Sequence, residues 1–134
     1  MIVGIIPSRY DSTRLPGKPL KKIGENTMIQ RVYEQAKKCR LIDELIVATD
    51  SEKIFNHVKS FGGNVVMTSP LHNNGTERCA EAASKICSEK DIVINIQGDE
   101  PFIDPSQIDT LAAVLKDGTT ELATLIISVK DYAM

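Results

Sequence analysis

Five short apolar runs, separated by stretches of helical period, leave this chain few architectures to choose from. The runs are Ile2-Val3-Gly4-Ile5-Ile6, Glu44 to Thr49, Val65-Val66-Met67, Asp91 to Gln97 and Leu122 to Val129. Runs without polar alternation read as strands buried on both faces, the usual condition of a parallel sheet. Between the first two, Met28, Ile29, Val32, Tyr33 and Ala36 recur at helical spacing over residues 27–40, which end in Lys37, Lys38 and Arg40. Those cations suit the negative end of a helix dipole. Asp50 or Ser51 caps a second helix over about 52–60, closed by Gly62-Gly63. A third is expected over about 76–88, and a fourth from Pro105, well suited to a first helical position, to about Lys116 before Gly118. Strand–helix alternation of this kind predicts an α/β fold: a mostly parallel, Rossmann-like sheet with helices on both faces.

The first strand runs directly into Pro7-Ser8-Arg9-Tyr10-Asp11-Ser12-Thr13-Arg14-Leu15-Pro16-Gly17-Lys18-Pro19-Leu20. Arg9, Arg14 and Lys18 thus share one loop, stiffened by prolines, at the carboxyl end of a strand. Open α/β sheets bind ligands at that edge, and three cations there call for an anionic partner, a polyphosphate above all. Pro16-Gly17-Lys18-Pro19 lacks the glycine spacing and the following Ser/Thr of a Walker A loop, and the paired glycines of a dinucleotide fingerprint are missing. Ser12, His72 and Asp99 could be drawn as a triad, but no nucleophile-elbow sequence accompanies them.

Composition removes other classes. A net charge of -2 is no nucleic-acid footprint, so the positive charge that matters is local. No apolar stretch approaches the roughly 20 residues that span a bilayer, and no secretory leader is visible. Cys39, Cys79 and Cys87 are odd in number and lack metal-ligand spacing. Cys79 and Cys87 fall on one expected helix, about 12 Å apart, too far for a disulfide. Reduced thiols and a cytoplasmic location are the simplest reading. The length fits one domain. Only Lys130 to Met134 follow the long fifth run, although a doubly wound sheet covers such a strand. The chain is therefore expected to be the N-terminal piece of a longer protein; the alternative is an edge strand closing a complete small domain.

Four segments together resemble a known family. They are the first loop from Ile5 to Leu20, Ile46-Val47-Ala48-Thr49-Asp50, Gly75-Thr76-Glu77-Arg78, and Asn95-Ile96-Gln97-Gly98-Asp99-Glu100-Pro101. In this order they resemble the sugar-nucleotide cytidylyltransferases, most closely the branch acting on 3-deoxy-manno-octulosonate (KDO). The resemblance implies that CTP and KDO are converted to CMP-KDO and pyrophosphate with Mg2+, for lipopolysaccharide synthesis, by a homodimer. It implies no nucleic-acid or membrane partner. It also implies that residues 1–134 are the nucleotide-binding part of one nucleotidyltransferase domain whose sugar-binding and dimerisation part lies elsewhere. Another sugar acid, such as a sialic acid, or a CTP-binding fragment without turnover are the alternatives.

The resemblance also distributes roles. Arg14 and Lys18 are the expected catalytic groups, gripping the triphosphate, with Arg9 binding nucleotide or ordering the loop. Arg offers a planar fork to phosphate oxygens and Lys a point charge. Ser12, Thr13 and backbone N–H groups near Gly17 are neutral donors. Gly75, Thr76 and Arg78 are expected at the nucleotide and Gln97 at the sugar. Asp99 is the expected Mg2+ ligand, with Glu100 and Asp104 better explained by turn formation and helix capping.

Overall fold

The computed structural model describes residues 2–9, 18–69, 71, 75–86, 92–96, 104–117 and 125–128, with the backbone alone at 18, 23, 75, 76, 86, 114–117 and 125–128. The first strand, β1 (Ile2–Ser8), is buried along nearly its whole length. A 3-10 turn at Lys18–Leu20 follows, then a small antiparallel hairpin of β2 (Lys22–Ile23) and β3 (Asn26–Thr27). The order continues α1 (Met28–Ala36), β4 (Glu44–Thr49), α2 (Glu52–Ser60), β5 (Val65–Met67) and α3 (Gly75–Ile86). It ends with β6 (Ile92–Asn95), α4 (Pro105–Asp117) and β7 (Leu125–Ser128).

Among the described residues five strands form one sheet in the order β5-β4-β1-β6-β7. Every pairing in it is parallel. The expected fold class is therefore present, in the arrangement of a Rossmann sheet. The chain moves outward from β1 to β4 and β5, then returns to β1's other side with β6. Between β1 and β6 the strand order reverses, and the crevice expected outside the carboxyl ends at such a switch point is where these sheets hold ligands.

Local chemistry sets the element ends. Thr27 caps α1 by accepting from Gln30 N at 3.3 Å, and Ser51 caps α2 by accepting from Ile54 N at 3.3 Å. Of the two expected caps for α2, Ser51 is the one used. Helix α1 is shorter than its periodicity predicts. After Ala36 the backbone tightens into bonds three residues apart, Lys38 N to Gln35 O and Cys39 N to Ala36 O, which end the α-helical ladder. Gly62 closes α2 at a φ of 82°, a conformation that favours glycine. The hairpin at 22–27 went unread in the sequence; its one cue is Gly24, at a φ of 71° in the two-residue turn.

The sheet's two faces are covered differently. Ile2, Ile6, Leu45, Val47, Ile94 and Ile96 face α1, α2 and α4, whose Ile29, Val32, Tyr33, Ile54, Val58, Ile108 and Leu111 complete the larger core. On the other face Val3, Ile5, Ala48 and Val93 meet Cys79, Ala82 and Ala83 of α3. Gly4 is required by packing on the first of these faces: a Cβ there would lie 2.9 Å from Ile96 Cδ1 and 3.1 Å from both Ile42 Cδ1 and Leu45 Cδ1.

Among the described residues no helix is long and apolar enough to cross a membrane. Cys87 lies outside the described residues; Cys39 and Cys79 are free and buried. Burial pushes each thiol up to about 12, reinforced at Cys39 by Asp109 and Asp104 and opposed at Cys79 by Arg78. At neutral pH neither is a thiolate, so neither is a nucleophile.

Candidate nucleotide-binding edge

Strand β1 delivers the cationic loop to the crevice. Ser8 is its last residue, in register with Thr49 of β4, and Arg9 follows with an exposed side chain. The loop's other end is pinned: the 3-10 turn starts at Lys18, Leu20 packs against the larger core, and Met28 N donates to Lys21 O at 2.7 Å. Arg9 thus stands at the sheet's carboxyl edge, and Lys18 at the start of a turn packed on the core. Ser12, Thr13 and Arg14 lie outside the described residues, as does the side chain of Lys18.

Across the crevice, Ile96 is fully buried and its N–H donates to Ile5 O at 2.8 Å, just past the last paired residues of β6. The backbone is thus held at the switch point immediately before Gln97-Gly98-Asp99. Gln97 and Asp99 themselves lie outside the described residues. Among the described residues no group of three or more His, Cys, Asp or Glu side chains converges as a metal site. Asp104 does what helix chemistry expects: its Oδ1 accepts from Ser106 N at 2.9 Å and from Ser106 Oγ at 2.8 Å, at the start of α4.

Gly75 begins α3 and Thr76 follows it, so backbone N–H groups of the first turn are present at the segment read as nucleotide-binding. Arg78 has a fully buried side chain. Nη1 donates to Thr68 Oγ1 at 2.6 Å and to Ser69 O at 3.2 Å, and Nη2 stands 3.6 Å from Asp50 Oδ2. Two further residues of α3 hold the same stretch of chain. Glu81 Oε1 accepts from Ser69 N at 2.8 Å, and Lys85 Nζ donates to Met67 O at 2.9 Å while pairing with Glu81 at 2.7 Å. Residues 78, 81 and 85 share one stripe of the helix.

The sequence reading named Thr68 nowhere, gave Asp50 only a capping role, and gave Ser8 and Asn95 none beyond their place in a motif. Ser8 Oγ and Asn95 Oδ1, like Arg78 Nε and Nη2, are buried with no hydrogen-bond partner. Unsatisfied buried groups are uncommon and tend to mark function. These lie on the last residues of β1 and β6 and the first turn of α3, around the crevice. Asn95 carried a usable signal, a lone amide inside Ile92-Val93-Ile94-Asn95-Ile96.

His57 has a structural partner. Its Nε2 lies 2.6 Å from Thr27 Oγ1, tying α2 to the cap of α1. Burial lowers its pKa. A cavity of about 410 Å3 lies at the opposite, amino-terminal edge, lined by Tyr33, Lys37, Asp43, Glu44 and Asn64 among others. Its polar groups are already engaged: Tyr33 Oη accepts from Asn64 N at 3.1 Å, and Asp43 Oδ2 from Ile2 N at 2.7 Å.

A family model described as cytidylyltransferase matches residues 3–133. A 3-deoxy-manno-octulosonate cytidylyltransferase of Bacteroides thetaiotaomicron is 56% identical over 124 residues, covering 92% of this chain and 49% of the relative. The protein of that name from Cytophaga hutchinsonii is 54% identical over 130 residues, covering 97% of this chain and 52% of the relative. A solved CMP:2-keto-3-deoxy-manno-octonic acid synthetase, complexed with CTP, superposes with a TM-score of 0.80 at 43% identity, over 87% of this chain and 48% of that one. The chain spans about half the length of the curated relatives it matches.

Proposed function

The chain belongs to the cytidylyltransferase family, and from that premise we propose that the protein carrying it joins CTP to KDO, giving CMP-KDO and pyrophosphate. The observation that supports this reading is that β1, in the middle of the sheet beside the β1–β6 switch point, runs out into the segment that carries Arg9, Arg14 and Lys18. A sugar hydroxyl attacks the α-phosphorus of CTP, the bond to the bridging oxygen breaks, and pyrophosphate leaves with the electron pair. Charge grows on the phosphoryl oxygens and the leaving group, so positioned cations do most of the work.

In this assignment Arg14 and Lys18 grip the triphosphate and Arg9 binds it from the strand end. Ser12 and Thr13 add neutral donors. Gly75 and Thr76 serve base and ribose from the start of α3, and Gln97 serves the sugar. Asp99 is the Mg2+ ligand. Its carboxylate has the right chemistry, because Mg2+ takes one or two carboxylates and completes its shell with phosphate oxygens and water, and it follows Ile96, bonded to Ile5 of β1, by three residues. Bound there, Mg2+ would supply charge neutralisation at the triphosphate. The full-length protein works in the cytoplasm as a homodimer, supplying lipopolysaccharide synthesis. For the chain by itself, spanning half its relatives' length, a second reading is favoured: CTP held without turnover.

The test is pyrophosphate release from CTP and Mg2+, with and without KDO, by this chain and by the full-length protein. Release by the full-length protein only, and only with KDO, is expected. Lys18→Ala in that protein should lower kcat roughly 10²-fold or more, the scale for losing a transition-state charge stabiliser. KDO-independent release, or an unchanged rate in Lys18→Ala, overturns the assignment.

A further inference from the structure

We propose that Asp50 and Arg78 are positioning residues for nucleotide binding, acting through the chain they hold rather than by touching the ligand. Arg78 joins three elements with one guanidinium. It sits in the first turn of α3, bonds Thr68 and Ser69 just beyond β5, and faces Asp50 just beyond β4. The backbone completes the joint: Thr68 N donates to Thr49 O at 2.8 Å and Ser51 N to Thr49 Oγ1 at 3.1 Å. Glu81 and Lys85 extend the hold along α3 to Ser69 N and Met67 O. The ends of two strands and the start of α3 are thereby set in one register, beside the crevice.

Burial separates this role from direct contact. Arg78 is 0% exposed, so a ligand in the crevice does not reach it. Its bonding is also incomplete, with Nε and Nη2 lacking a hydrogen bond and Asp50 at the long distance of 3.6 Å. A buried ion pair with imperfect geometry repays little of its desolvation, and apolar side chains commonly stabilise a fold better. What the pair supplies is a fixed geometry. Lysine could not supply it, since its single nitrogen cannot take the places of both Nη1, which holds Thr68 and Ser69, and Nη2, which faces Asp50.

The proposal rests on the reading of Gly75 and Thr76 as nucleotide-binding, so its test carries two readouts. Arg78→Ala leaves a buried hole and risks misfolding; Asp50→Asn and Thr68→Val keep the shape. In the full-length protein each should raise the KM for CTP about tenfold, the value of one hydrogen bond to a charged group, with the KM for KDO unchanged. Arg78→Lys should not restore the wild-type KM. Hydrogen exchange at the Thr68 and Ser69 amides should accelerate in both shape-conserving variants. A lowered melting temperature with an unchanged CTP KM would assign the cluster to folding alone and overturn the proposal. If wild-type protein forms no CMP-KDO, the functional reading fails separately. Exchange at Thr68 and Ser69, measured without substrate, still decides whether Asp50 and Arg78 hold the strap: wild-type protection in Asp50→Asn refutes it.

Discussion

The two faces of the sheet are built on different principles. The face under α1, α2 and α4 is filled with branched aliphatics and Tyr33, and most of its members are fully buried. The face under α3 is thin. It has alanines and a cysteine on the helix, and its buried polar groups, Arg78 and Asn95, lie toward the carboxyl ends of the strands. Small side chains let α3 lie close to the sheet and commit its outer stripe to holding residues 67–69. One face carries most of the apolar burial; the other carries buried polar geometry beside the switch point. If the proposed roles hold, stability and function are separable by face.

That separation can be broken experimentally. Leu111→Ala, on the thick face, should destabilise by about 2–5 kcal/mol through lost burial and a residual cavity, read by denaturant unfolding. A smaller loss than from Val93→Ala on the thin face would reverse the comparison. Ala82→Leu tests the thin face from the other direction. An added side chain between α3 and the sheet should cost about 1–3 kcal/mol through overpacking and should weaken CTP binding as α3 is displaced. Loss of stability with unchanged binding would detach α3's position from function.

The smallest effect concerns the contact between α2 and the cap of α1. Burial lowers the pKa of His57 in the folded protein. The unfolded chain therefore takes up a proton first as pH falls through about 6.5, and stability declines from there down to the depressed folded value. Above that window His57 contributes no pH dependence. His57→Gln should flatten unfolding free energy against pH on the acid side; an identical slope would show that other groups govern it.

The fold was largely legible because apolar runs and helix caps are local signals. Glu44–Thr49, Val65–Met67 and Glu52–Ser60 form at the residues where period and Ser51 place them. Helix α1 ended early because three-residue bonds after Ala36 depend on the chain's turn toward β4, which periodicity does not encode. The hairpin at 22–27 is too short for any run to reveal. In the site, Arg9 and Lys18 were legible as cations after a buried strand. Arg78 read as a nucleotide-binding cation, and its partners went unseen because Asp50 and Thr68 lie at different strands' ends and only the folded chain brings them together. Asp50 was absorbed by its adjacent capping position, which Ser51 fills.

The strand order also has a history during synthesis. β1 leaves the ribosome first and can pair with β4 soon afterwards, but its opposite edge is completed only by β6. Until Ile92 to Asn95 are made, the most apolar strand of the described chain exposes a row of free peptide groups, the arrangement that invites pairing with another molecule. The switch point beside β1 is formed by that same late pairing. The nascent protein therefore cannot complete its switch point before it has covered its exposed strand edge.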